Sequence, residues 1–264
     1  MPESDDSCRP SYAFEETHNF RWMPKFVAGS QHTLRSADLT LLDLQLDLSE
    51  LGQFAEVAHG HLSPDLIWKN LDRFLQPRFP LADYNALRGS TLASSFRGTV
   101  ASMQGYIAHR AGELIIAFSG TCNIQQTMKD LDARRVKHPA GHGSAVHAGF
   151  WRIYNGVRDC AFTALANALR GRDVHRIIFT GHSLGAVMCY LMALDVVEKS
   201  RAGDASAVLP SSCRALSIVV FGCPRAGNLA LVQCWREAIT DRTGHNLAIQ
   251  EYSVKGYNDG ANDL

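Results

Sequence analysis

The chain has 264 residues, with 26 Lys plus Arg against 26 Asp plus Glu, so no net field draws it toward nucleic acid or an anionic membrane surface. Its hydrophobic share of 46% is ordinary for a globular protein, and its length suits one large domain or two modest ones. The longest apolar runs, such as Leu114 to Phe118 and Ile218 to Phe221, are far shorter than the roughly 20 residues that a membrane-spanning helix needs.

The opening MPESDDSCRPSYAFEETHNFRWMPKF begins acidic and lacks the basic-then-apolar layout of a secretory signal, which predicts a cytoplasmic location. Between Ser36 and Leu62, Leu44, Leu48, Leu51 and Val57 recur among acidic neighbours near helical spacing and predict one or two helices. LSPDLIWKNLDRFLQP follows, with Ser63 as a cap, Pro64 in the first turn, Leu66, Leu71 and Leu75 between charges, and Pro77 as a stop. No reactive constellation shows here, and residues 1–94 are expected to form a helical extension that packs on a neighbouring sheet or guards an opening.

At Ser95 the character changes. SFRGTVASMQGYIAHRAGELIIAFSGT holds two β-rich runs, and Arg110 to Gly112 supplies the turn of a hairpin. HAGFWRIYNGVRDCAFTALANALRG then reads as a helix with Phe150, Ile153, Val157 and Phe162 inward. Thereafter strand and helix alternate: VHRIIFTG, GAVMCYLMALDVVEKS, ALSIVVFG, NLALVQCWREAITD and LAIQEYSV. Such alternation predicts an α/β fold, a mainly parallel sheet flanked by helices, over residues 95–264. The seven cysteines, at 8, 122, 160, 189, 213, 223 and 234, contain no CxxC pair and are odd in number, which predicts reduced, mostly buried thiols.

The chemistry concentrates at Gly181-His182-Ser183-Leu184-Gly185. A serine hydroxyl becomes a nucleophile only when it is held near a base and near donors to an oxyanion. Ile177 to Thr180 form the strand before it, Gly181 and Gly185 let strand and helix pass closely around a strained corner, and Ala186 continues the small residues. The corner predicts an exposed Ser183 hydroxyl, with the amide of Leu184 at the helix start facing developing negative charge. His182 reads as a structural or pocket-lining imidazole rather than the base.

TGHSLGA, AFSGT, VHAGFW and FGCPRAGN together resemble, in order, blocks of the fungal class 3 lipases, a branch of the α/β-hydrolases. The resemblance covers roughly residues 96–259 and implies an α/β-hydrolase-like fold and a serine ester hydrolase acting on lipid or acyl esters. It implies no metal and no cofactor, leaves room for transient contact with a lipid interface, and names no protein partner and no nucleic acid. By position it implies that Thr121 is an oxyanion residue, although this chain has Ser119 where the family usually writes an arginine. It places a lid at CNIQQTMKDLDARR, where Ile124, Met128 and Leu131 fall at helical spacing. Thr127 stands where the lid often carries an aromatic, which favours short-chain or polar-lipid esters over triglycerides.

His147 matches a structural residue near the site, Cys223 to Asn228 an irregular loop beside the pocket, and Asp259 the acid that orients the catalytic histidine. Asn258-Asp259-Gly260 is equally turn chemistry. In the family the histidine follows the acid, whereas the last histidine here, His245, stands 14 positions before Asp259. Three readings stay open: a truncated enzyme, an inactive lipase-like module that binds rather than hydrolyses, or an unusual base such as His245.

Overall fold

Strands whose apolar runs do not alternate with polar residues need cover on both faces. Glu113 to Phe118, Arg176 to His182 and Ala215 to Phe221 are such runs, and they lie inside a doubly covered sheet. The structure is a computed structural model that describes residues 41–60, 62–120, 134–141, 143–203, 209–240 and 247–255. Thr121, Asp259, His245 and the lid stripe of Ile124, Met128 and Leu131 all lie outside the described residues.

In chain order the elements are α1 (Leu42–His59), α2 (Pro64–Lys69), α3 (Leu71–Phe74), β1 (Thr91–Arg97), β2 (Gln104–Arg110), β3 (Glu113–Phe118), β4 (Arg135–Lys137) and β5 (Ala145–His147). They continue with α4 (Ala148–Leu169), β6 (Arg176–His182), α5 (Leu184–Arg201), β7 (Ala215–Phe221), α6 (Leu229–Thr240) and β8 (Ala248–Val254). Among the described residues the main sheet has six strands in the order β1-β2-β3-β6-β7-β8, while β4 and β5 form a separate pair. β3, β6, β7 and β8 run parallel, and β1 and β2 are antiparallel additions. The β2–β3 hairpin turns through Ala111 and Gly112, both at positive φ, with Arg110 paired to Glu113.

Successive strand residues point to opposite faces. On one face Ile116, Phe118, Ile177, Phe179, Ile218 and Val220 pack against α4 and α5, and all four inward positions expected of α4, Phe150, Ile153, Val157 and Phe162, are buried there. On the other face Ile115, Ala117, Ile178 and Val219 pack against Leu51, Phe54, Val57 and Ala58 of α1. The first helices are thus one layer of the same sheet's cover, and position 94, where the sequence divides the chain, lies within β1. Ser63 caps α2 as expected, its Oγ accepting from the Leu66 amide at 3.3 Å, but Ile67 and Leu75 are the buried apolar residues here while Leu66 is exposed. The free cysteines among the described residues are 160, 189, 213, 223 and 234, of which Cys189 and Cys213 are buried. No helix among the described residues is long and apolar enough to cross a membrane.

Charges tie α1 to the β2–β3 turn and to the start of β6. Glu113 bridges Arg176 at 3.1 Å and Arg110 at 3.3 Å, while Arg176 also reaches Asp47 at 3.5 Å and Arg110 reaches Glu50 at 2.9 Å. Glu113, Arg110 and Arg176 are each largely withdrawn from solvent, so loss of the central carboxylate leaves two guanidinium groups poorly compensated. Glu113→Ala is expected to lower unfolding free energy in urea by about 2 kcal/mol, whereas truncation of the exposed partner in Arg158–Asp159 should change it by less than about 0.5 kcal/mol.

His138, just after β4, is buried with its ring edge-on to Trp151 at 4.8 Å, and its Nδ1 accepts from the Ala140 amide at 3.2 Å. Burial pushes this imidazole below its ordinary pKa, and Asp195 on α5 pulls weakly the other way. The folded state therefore keeps the ring neutral where the unfolded chain, with a pKa of about 6.5, takes up a proton, so stability is held above that pH and lost as pH falls below it. Urea titrations at pH 7 and pH 5 are expected to show a smaller loss on acidification for His138→Gln than for the native chain.

Candidate active site

The corner between β6 and α5 is set by backbone sterics. A Cβ on Gly185 would run into the carbonyl oxygen of Phe118 and stand 2.9 Å from that of Ser119, and a Cβ on Gly181 would stand 2.7 Å from the carbonyl carbon of Gly185. Helix and strand therefore meet almost backbone to backbone, and one residue must carry the reversal. Ser183 does so at φ 57° and ψ −118°, a conformation that costs a side-chain-bearing residue about 1–3 kcal/mol. Its amide donates to the Phe221 carbonyl at 2.9 Å, and its own carbonyl accepts from Ala186 at 3.0 Å.

Leu184 is the first residue of α5 and is buried. Its amide is among the helix N–H groups that the helix itself cannot satisfy, at the positive end of the helix dipole. The predicted exposed hydroxyl needs correction: Ser183 is buried, 7% exposed, at a corner whose backbone is tied to the end of β7 through Phe221.

His182, on the other side of the serine, lines a cleft of 610 Å³ with His59, Glu56, Tyr84 and Phe221. The ring of His59 meets it edge-on, with centroids 5.6 Å apart. His59 was invisible as a site residue in the sequence, where it is simply the last basic position of an amphipathic helix. Cys223 to Asn228 line a second cleft, of 860 Å³, with Tyr190, Trp235 and Glu251. Glu251 there accepts from Tyr190 at 2.5 Å and from Trp235 at 2.8 Å. Asn228 binds the amides of Ala145 and Leu231 at 3.0 Å each and donates to the Gly143 carbonyl at 2.8 Å, so it fixes the start of α6 against β5.

His147 stacks on Phe150 at 4.7 Å and its amide donates to the Ala226 carbonyl at 2.9 Å, which ties the end of β5 to the same loop. Burial holds the Cys189 thiol well above its ordinary pKa and pushes Cys223 up to about 12, so neither is a thiolate nucleophile at neutral pH. Among the described residues no group of three His, Cys, Asp or Glu side chains is placed to hold a metal ion.

The sequence profile of the family described as Lipase (class 3) matches residues 115–249, just over half of the chain, from β3 into β8. The chain belongs to the class 3 lipases. A lipase of Rhizopus niveus is 25% identical over 139 residues, covering 52% of this chain and 33% of that protein. Secreted mono- and diacylglycerol lipase A of Penicillium cyclopium is 26% identical over 148 residues, covering 55% of this chain and 45% of that one. The chain thus spans a third to under half of the length of these two relatives. The crystal structure of a lipase from Rhizopus microsporus var. chinensis superposes with a TM-score of 0.62 at 21% identity, over 81% of this chain and 67% of that one. The shared fold is that of the α/β-hydrolases.

Within this class 3 lipase the strain at Ser183 is itself measurable. Ser183→Gly is expected to be more stable than Ser183→Ala by about 1 kcal/mol in urea unfolding, since glycine alone adopts this backbone freely but loses more entropy on folding. Equal stability of the two variants would mean the corner stores no strain.

Proposed function

We propose that the chain is a serine ester hydrolase acting on lipid or acyl esters, with Ser183 as the nucleophile. The observation that carries this reading is the positive φ of Ser183 at the junction of a central parallel strand with the amino terminus of a buried helix. In the proposed reaction Ser183 Oγ bonds to the ester carbonyl carbon and its proton passes to a histidine base. The carbonyl oxygen, now an anion, is held by the amide of Leu184 and by Thr121. The alcohol leaves with the proton, and water then releases the acyl group from the serine. Asp259 would orient that histidine, which in the family follows the acid, whereas His245, the last histidine among these 264 residues, stands before it.

Membership of the class 3 lipases supports this reading, as do the names of the relatives, a lipase and a mono- and diacylglycerol lipase. Thr127, in place of the aromatic that the family's lid often carries, supports esters of short chains or polar lipids ahead of triglycerides. The test is labelling by an alkyl fluorophosphonate, which needs an activated serine. Native protein is expected to be labelled on Ser183 and Ser183→Ala to remain unlabelled. Native protein that takes up no probe would turn the assignment to the second reading, a binding module on the same fold.

A further inference from the structure

α1 reaches the edge of the sheet that carries Ser183. Its path is fixed by Leu51, Phe54 and Val57 in the core, by the Tyr106 hydroxyl donating to the Phe54 carbonyl at 2.7 Å, and by the ion pairs at its other end. Its last residue is His59. A Cβ placed on Gly120 would stand 2.5 Å from Nδ1 of that imidazole, 2.9 Å from its Cε1 and 2.9 Å from the carbonyl oxygen of His182. The ring edge therefore lies directly on the bare backbone of Gly120, beside the His182 carbonyl, while the His59 and His182 rings stand perpendicular to each other. Gly120 immediately precedes Thr121, and His182 immediately precedes Ser183. One side chain touches both limbs of the proposed oxyanion hole.

We propose that His59 is a positioning residue, whose imidazole sets the spacing between the Gly120 backbone and the Ser183 corner and so holds the Leu184 amide in place beside the serine. This rests on the reading of Ser183 as the nucleophile. His59 lies outside residues 115–249, so the family segment receives this brace from the helices that precede it. The physical need is a narrow one. Oxyanion donors act at about 2.7–3.1 Å, and a misplacement of about 1 Å costs up to about 100-fold in rate. A ring carried by a helix supplies a contact that Gly120, which has no side chain, cannot make by itself. The contact is with Gly120 and His182, not with reacting atoms, so the effect belongs to the covalent step and not to capture of the ester.

The test compares full-length native protein with His59→Ala, His59→Asn and Ile67→Ala, a cavity in the same core on α2. Two readouts are taken: the backbone amide resonances of Gly120 and Leu184, and fluorophosphonate labelling resolved into inactivation rate and probe affinity. His59→Ala is expected to move both resonances and to slow inactivation about tenfold or more at an affinity unchanged within about twofold. His59→Asn, whose amide can occupy the place of Nδ1, should recover about a third of the rate or more, and Ile67→Ala should lower stability but spare both readouts. His59→Ala with unmoved resonances and an inactivation rate within twofold of native would overturn the proposal, as would an equal loss in Ile67→Ala. Native protein that is not labelled defeats the nucleophile reading instead, and the two resonances then decide the positioning role alone.

Discussion

The corner at Ser183 depends on how closely α5 approaches β3 and β6. With backbone carbonyls of Phe118 and Ser119 where a Gly185 side chain would be, the helix can leave the strand only through a single-residue reversal, and Ser183 is that residue. Its strained conformation persists because the surroundings allow no other. Ala186, Val187, Met188 and Cys189 are wholly buried behind it, and the Phe221 carbonyl holds its amide from the next strand. The same junction puts the Leu184 amide, which has no acceptor within the helix, next to the strained residue.

The parallel pairing of β3, β6, β7 and β8 gathers strand ends on one edge, which is where open α/β sheets place their sites. Gly120, His182 to Leu184 and Phe221 to Gly222 meet there from three separate strands. Each helical layer contributes differently. α5 supplies the amides, the loop from Cys223 to Asn228 is fixed to β5 through Asn228, and α1 crosses the opposite face to end with His59 against Gly120. The amino-terminal helices thus belong to the site's support as well as to the core, although their sequence carries no reactive motif.

Much of this was legible in the chain. Continuous apolar runs at Leu114 to Phe118 and Leu216 to Val220 announce doubly covered strands, the turn at Ala111-Gly112 announces the hairpin, and Phe150, Ile153, Val157 and Phe162 point inward as their spacing predicts. The local motif around Ser183 was legible through its context, a strand-like run before it, a helical run after it and small residues at the corner. The exposure of Ser183 was misjudged, since burial depends on what neighbouring strands bring. Of the leucines between Ser63 and Pro77, Leu75 is buried and Leu66 exposed, while Ile67 takes the core position, because local spacing does not say which face finds a partner.

By itself the sequence determined the alternation of strand and helix, the position of the strained serine and the absence of net charge, all of which are local or additive properties. Only tertiary structure decided that residues 42–59 cover the same sheet, that Glu113 stands between Arg110 and Arg176, and that His59 lies on Gly120. Apart from Arg110 with Glu113, across the hairpin turn, these contacts join residues tens of positions apart, and no periodicity encodes them. They exist because burying both faces of one sheet leaves each helix a single place to lie.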